Sequence, residues 1–158
     1  MDGIILEKDQ GFRNLAVTSS WNDLVNRDDL HDYLVNEWEN AEPAENGPDP
    51  SRLLAPIGSQ EIWAAGVTYY SSRLARMEES KDSGGGDFYS RGYVADRPGI
   101  FFKATPARTG GPGKDFRIRK DSTWDVPEPE LTLFATSNGK IVGYTIGNDV
   151  SSRSIEGE

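Results

Sequence analysis

Two glutamates one residue apart, Glu128 and Glu130, and a later aspartate, Asp149, are the residues of this chain best placed for chemistry. They sit in the run Val126-Pro127-Glu128-Pro129-Glu130-Leu131-Thr132-Leu133-Phe134, then Ser137-Asn138-Gly139-Lys140, then a second run from Ile141 to Asp149. Two such runs around an Asn-Gly predict a β-hairpin. Side chains at i and i+2 of a strand share a face, so Glu128 and Glu130 project together and the second strand brings Asp149 alongside. Carboxylates gathered in this way repel one another unless a cation neutralises them. Oxygen donors with no His or Cys beside them suit Mg²⁺, Mn²⁺ or Ca²⁺ rather than zinc. Spacing alone equally describes a solvated strand face, the commoner fate of two such glutamates. The apolar neighbours argue for a site: Leu131, Leu133, Ile141, Val142, Tyr144 and Ile146 fill the strands, and Asn148-Asp149 ends the second run on polar groups.

Other elements must hold this hairpin in place. Short apolar pieces from Ile4 to Val17 predict a strand or hairpin. Ser19-Ser20 ahead of Trp21-Val25 predicts a helix N-cap. Leu30, Tyr33, Leu34 and Trp38 recur at helical steps, predicting a helix over 28–38. Residues 39–52 are acidic and hold Pro43, Gly47, Pro48 and Pro50, the composition of a linker. The boundary implied is a small N-terminal unit and linker over 1–52, and a larger unit over 53–158. Within the latter, Ile62–Val67 and Ile100–Lys103 predict strands, and Ser71–Ser80 a helix. Residues 81–87, with three consecutive glycines, predict a loop. It lacks the following Lys-Ser/Thr of a phosphate-binding loop, and a lid over a site is the preferred reading. Thr109–Gly113 predicts a turn, and Phe116-Arg117-Ile118-Arg119-Lys120 alternates like an edge strand.

Composition narrows the function. The chain has 158 residues, enough for one domain with a core. It is 35% hydrophobic, with no apolar run near a membrane span and no signal-peptide pattern at its start, so the expected location is cytoplasmic with no membrane partner. Without cysteine there is neither disulfide nor thiolate metal site. A net charge of −9 repels phosphate backbones and argues against nucleic acid. The same acidic balance, with Arg favoured over Lys, suits a salt-adapted protein as well as an ordinary acidic one.

The run Gly143-Tyr144-Thr145-Ile146-Gly147-Asn148-Asp149-Val150-Ser151-Ser152-Arg153-Ser154-Ile155-Glu156, with Pro127–Leu131 ahead of it, resembles the fumarylacetoacetate hydrolase superfamily. Glu61–Tyr69, Arg76–Ser80 and Phe101–Pro106 resemble its sugar-acid branch, the 2-keto-3-deoxy-pentonate dehydratases. The likeness runs from about residue 57 to the end. It implies a mixed α/β, strand-rich fold with a distorted β-roll core. It implies Glu128, Glu130 and Asp149 as ligands of Mg²⁺, and a small sugar acid as partner, bound through its carboxylate and keto oxygens. It further implies Arg153, Thr68 and Tyr69 on the substrate, and Glu156 and Lys103 as catalytic candidates. Homo-oligomers are the rule in such relatives.

Two departures bear on the reaction. Hydrolytic members carry a His and a Glu after the Gly-x-x-Tyr; here Ser72 and Ala75 stand there, and the only histidine, His31, lies far upstream in a predicted helix. Loss of a His base argues for a hydro-lyase over an acylpyruvate hydrolase, with oxaloacetate decarboxylase as a further alternative. The chain also stops at Glu158, inside the motif, whereas the resemblance implies more chain with a catalytic lysine. The expectation is an N-terminal fragment, inactive alone, of a Mg²⁺-dependent dehydratase. A non-catalytic interaction domain is the rival from another class.

Overall fold

The computed structural model describes residues 3–16, 19–66, 69–70, 74, 94–97 and 99–156. The helix expected over 71–80, apart from Leu74, and the glycine loop over 81–87 lie outside them, as do Thr68, Glu78, Glu79 and Glu158.

Contacts group residues 1–59 with 109–158 in one unit and 60–108 in another. The N-terminal segment therefore packs with the C-terminal hairpin. In the first unit, β1 (Ile4–Lys8) and β2 (Gly11–Leu15) form an antiparallel hairpin, Ile4 opposite Leu15 and Lys8 opposite Gly11. The two-residue turn puts Asp9 at φ 50° and Gln10 at φ 65°, the left-handed backbone that such turns demand and that Gly adopts most readily. α1 (Trp21–Val25) opens on the expected cap: Ser20 Oγ accepts from Asp23 N, and the Asp23 carboxylate accepts from Ser20 N.

α2 (Leu30–Asn40) begins two residues later and ends two residues beyond the predicted span. Its last carbonyls are capped by Arg13, which donates to Trp38 O at 2.8 Å and Ala41 O at 3.2 Å. The same guanidinium lies over the Trp38 ring, 5.0 Å from its centroid. The expected linker is partly ordered: Glu42–Ala44 form β3 on the free side of β2, with Phe12 opposite Ala44. Gly47 lies flat against Phe12, where a Cβ would come within 2.8 Å of the ring. The apolar side chains buried among the described residues are Leu15, Leu24, Val25 and Ala41, all from this segment.

The rest of this unit folds back on it. Lys114 Nζ donates to Ser51 O at 2.8 Å, and Gly111 packs on the backbone of residues 53–55. The edge strand expected over Phe116–Lys120 does not form. No described strand lies beside it to complete a ladder, and Phe116 and Ile118 are both exposed.

The run from Val126 is not one continuous strand. β4 (Asp125–Val126) stops before Pro127 and pairs with β5 (Ser151–Ser152). β6 (Pro129–Ala135) pairs with β7 (Ile141–Asn148) as the expected hairpin, turning through Gly139 at φ 79°. The tip is clamped to the start of α2. Thr136 Oγ1 and Asn138 Nδ2 donate to the Asp28 carboxylate at 2.6 and 2.9 Å, and Ser137 N donates to Asn26 Oδ1 at 2.7 Å. α3 (Arg153–Glu156) follows β5 directly.

The second unit holds β8 (Ile62–Gly66) and β9 (Gly99–Ala104), antiparallel, with Trp63 edge-on to Phe102 at 6.0 Å. These are the two strands predicted there, Val67 lying outside the described residues. No described helix is long and apolar enough to cross a membrane.

Two outcomes follow. Gln10→Gly relieves a left-handed non-glycine residue and raises stability by about 0.5–1 kcal/mol in denaturant unfolding. Hydrogen bonds from Thr136 and then Asn138 hold the Asp28 carboxyl below its ordinary value. The clamp is therefore at full strength above the unfolded carboxyl pKa of about 3.9 and weakens as pH falls through the lower folded value. Asp28→Asn flattens that acid slope, measured by circular dichroism melts between about pH 2 and 5.

Candidate active site

The break at Pro127 and the β6–β7 register together place the carboxylates. Glu128 lies between β4 and β6, its N–H bonded to Asn148 Oδ1 at 2.9 Å and its carbonyl to Asp149 N at 2.9 Å. Glu128 and Asp149 thus face each other across the open end of the hairpin. Glu130 stands one step inside, opposite Gly147. Exposure alternates from 126 to 135. Glu128 and Glu130 share the less exposed side, while Pro129 and Leu131 face out. This is the shared face expected from their i, i+2 spacing. Asp149 is half-buried, with its Oδ1 buried. Gly147 keeps this side narrow: a Cβ there would come within 2.4 Å of Thr132 Oγ1.

Arg153 is the cation at this end. Its side chain is only 6% exposed and makes ion pairs with Glu128, itself 18% exposed, and with Glu156 one turn along α3. Burial works against the charge. The hydrogen bonds and charges of Glu128 and Glu156 outweigh that effect and hold the guanidinium above its ordinary pKa. α3 is fixed by Ser154, whose Oγ accepts from Thr123 N and pairs with Ser122 Oγ, both at 3.0 Å. Ser152 Oγ donates to Asp125 at 2.7 Å, tying β5 to β4.

The structure therefore brings Glu128, Asp149, Arg153 and Glu156 to one end of the hairpin, with Glu130 next in line. Among the described residues no three Asp, Glu or His side chains are gathered closely enough to hold a metal ion, and Glu128 is turned to Arg153. The donor set nonetheless fits a hard divalent cation, being carboxylate throughout. Lys103, on β9, and Tyr69 belong to the other compact unit. His31 lies exposed on α2 beside Asp32, away from these groups. Asn148, the polar residue noted at the end of the apolar run, positions Glu128 by accepting from its backbone N–H.

The fold is shared with sugar-acid dehydratases of known structure. No family model matches the chain. A solved 2-keto-3-deoxyarabinonate dehydratase superposes on 98% of this chain and 54% of its own, at 34% identity and a TM-score of 0.71. A 2-keto-3-deoxy-D-arabinonate dehydratase complexed with magnesium and 2,5-dioxopentanoate covers the same share of this chain and 52% of its own, at 32% identity and a TM-score of 0.68. Among curated proteins, a probable 2-keto-3-deoxyxylonate dehydratase of Haloferax volcanii is 53% identical over 120 residues, 76% of this chain and 40% of the relative. A 2-dehydro-3-deoxy-D-arabinonate dehydratase of Saccharolobus solfataricus is 46% identical over 108 residues, 68% of this chain and 36% of the relative. The chain is thus a homologue of the 2-keto-3-deoxy-pentonate dehydratases, and spans about two-fifths of the length of the curated relatives it matches.

Removing Arg153 leaves Glu128 as a half-buried carboxylate without its main counter-charge. Arg153→Met lowers stability by about 2 kcal/mol, and Arg153→Lys by less, in urea unfolding.

Proposed function

We propose that this chain forms the metal-binding part of a Mg²⁺-dependent hydro-lyase that converts a 2-keto-3-deoxy-pentonate to 2,5-dioxopentanoate. The observation that carries the reading is the carboxylate end of the hairpin. Glu128 and Asp149 are bonded backbone to backbone, Glu130 lies one step inside, and the fold is shared at 32% identity with a dehydratase bound to magnesium and that product. Activity belongs to the complete dehydratase fold, of which this chain supplies about half.

Glu128, Glu130 and Asp149 would hold the ion; Mn²⁺ or Ca²⁺ suits the same oxygen donors. When bound, the ion would polarise the keto oxygen of the substrate and acidify the adjacent C3–H. Loss of that proton and of the C4 hydroxyl as water, followed by tautomerisation of the C5 carbinol through its enol, would leave an aldehyde at C5. Arg153 supplies a planar, permanently charged fork suited to a substrate carboxylate or hydroxyl. Its hold on Glu128 and Glu156 sets where that fork sits. Glu156, 44% exposed, and Lys103 are the acid–base candidates. Thr68 and Tyr69 are proposed to contact substrate.

The test uses the chain joined to the remaining part of a relative, with product followed by aldehyde trapping and mass spectrometry. Exhaustive chelation abolishes turnover and Mg²⁺ restores it. Glu130→Gln lowers kcat/KM by roughly 10³-fold, the equivalent of losing about 4 kcal/mol of metal-borne stabilisation. Retention of full rate after either treatment refutes the assignment.

A further inference from the structure

The dipeptide Asn-Gly occurs twice in the chain, at Asn46-Gly47 and at Asn138-Gly139. Asparagine is thermolabile, most of all ahead of glycine, which has no side chain to keep its backbone nitrogen from the asparagine amide carbon. The two sites differ in what holds them. Asn46 is exposed, and its side chain makes no hydrogen bond to another described residue. Asn138 is exposed too, but its Nδ2 donates to the Asp28 carboxylate at 2.9 Å, and Gly139 N donates to Thr136 O at 2.8 Å. Thr136 Oγ1 and Ser137 N fasten the same tip to Asp28 and Asn26, at 2.6 and 2.7 Å.

We propose that Asn138-Gly139 is a deamidation site that the Asp28 clamp holds in check, and that its conversion unfastens the hairpin tip. The reaction consumes water alone. Gly139 N gives up its proton and attacks Asn138 Cγ. The new C–N bond closes a cyclic imide as the Cγ–Nδ2 bond breaks, and ammonia leaves with that proton. Water then opens the ring at one carbonyl or the other, giving aspartate or isoaspartate with no change of oxidation state. The contacts at the tip oppose the first step. Thr136 O occupies the Gly139 N–H that must be lost. Asp28 holds the leaving nitrogen, and its negative charge disfavours the anionic adduct formed beside it. The product undoes the clamp in turn. A carboxylate at position 138 has no N–H to donate and meets Asp28 as a like charge. Isoaspartate also adds a carbon to the main chain of the turn. The hairpin then loses its anchor at the end opposite Glu128 and Asp149.

The test incubates the 158-residue chain in mildly alkaline buffer and follows both dipeptides by peptide mapping and mass spectrometry, which separate Asn, Asp and isoaspartate. The expected result is that Asn46 converts first and Asn138 lags by roughly tenfold, the share of one hydrogen bond to a charged group. In urea the two convert at the same rate. Asp28→Ala, shown to be folded by circular dichroism, brings Asn138 up to the rate of Asn46 and leaves Asn46 unchanged. Asn138→Asp, which reproduces one product, speeds amide exchange at Ser137 by a similar factor. Equal rates in the folded wild type overturn the check on Asn138, as does a lag that persists in urea. That comparison decides the matter even where Asp28→Ala does not fold. A folded Asp28→Ala chain that is still slow at Asn138 overturns the role of Asp28. Unchanged exchange at Ser137 in Asn138→Asp overturns the unfastening.

Discussion

The pairing register of β6 on β7 is the constraint on which the rest of the structure depends. Side chains alternate with a period of two, so a slip of one residue would carry Glu130 to the apolar face and turn Leu131 and Leu133 inward. Several features hold the register. Gly139 closes the turn, and the ladder is irregular between Phe134 and Ala135. Thr132 Oγ1 sits over Gly147, where a Cβ would force the threonine side chain to shift. The tip is bonded to Asn26 and Asp28, which anchors the hairpin from its far end. With the tip fixed, the open end is fixed as well, and Glu128 meets Asp149 there.

At that open end the electrostatics are local. The chain carries a net charge of −9, a field that disfavours an anionic sugar acid. Screening confines such a field to about 8 Å at physiological salt. A buried guanidinium between two carboxylates is screened far less. Arg153 thus sets the local field at the site while the acidic surface sets solubility. Its short helix needs rigid support to keep that role, and Ser154 and Ser152 provide it through bonds to residues 122–125.

What was legible in the sequence was what neighbouring residues decide. The Ser20 cap, the α2 stripe, the first hairpin and the Asn138-Gly139 turn are local signals, and each appeared within a residue or two of its expected place. The misses depend on distant partners. Glu42–Ala44 read as linker because acidic and proline residues dominate it, yet an open edge on β2 recruits it as a strand. Phe116–Lys120 had the alternation of a strand and found no ladder. Val126 left the hairpin because Pro127 interrupts it and Ser151 offers a partner. The carboxylate pair was visible from spacing, but the turning of Glu128 to Arg153 was not. That contact depends on how α3 follows β5, which no periodicity encodes.

The unit that holds the site is discontinuous in sequence, and this has a consequence for biosynthesis. Asn26 and Asp28 leave the ribosome well before their partners, since Thr136 lies 108 residues beyond Asp28. At about 5–20 residues per second, that interval lasts roughly 5–20 s. Throughout it, residues 60–108 emerge and can form their own hairpin, while the N-terminal three-stranded sheet stands without its C-terminal half. The carboxylate end is therefore assembled after the N-terminal sheet, which stands uncapped while those 108 residues are added.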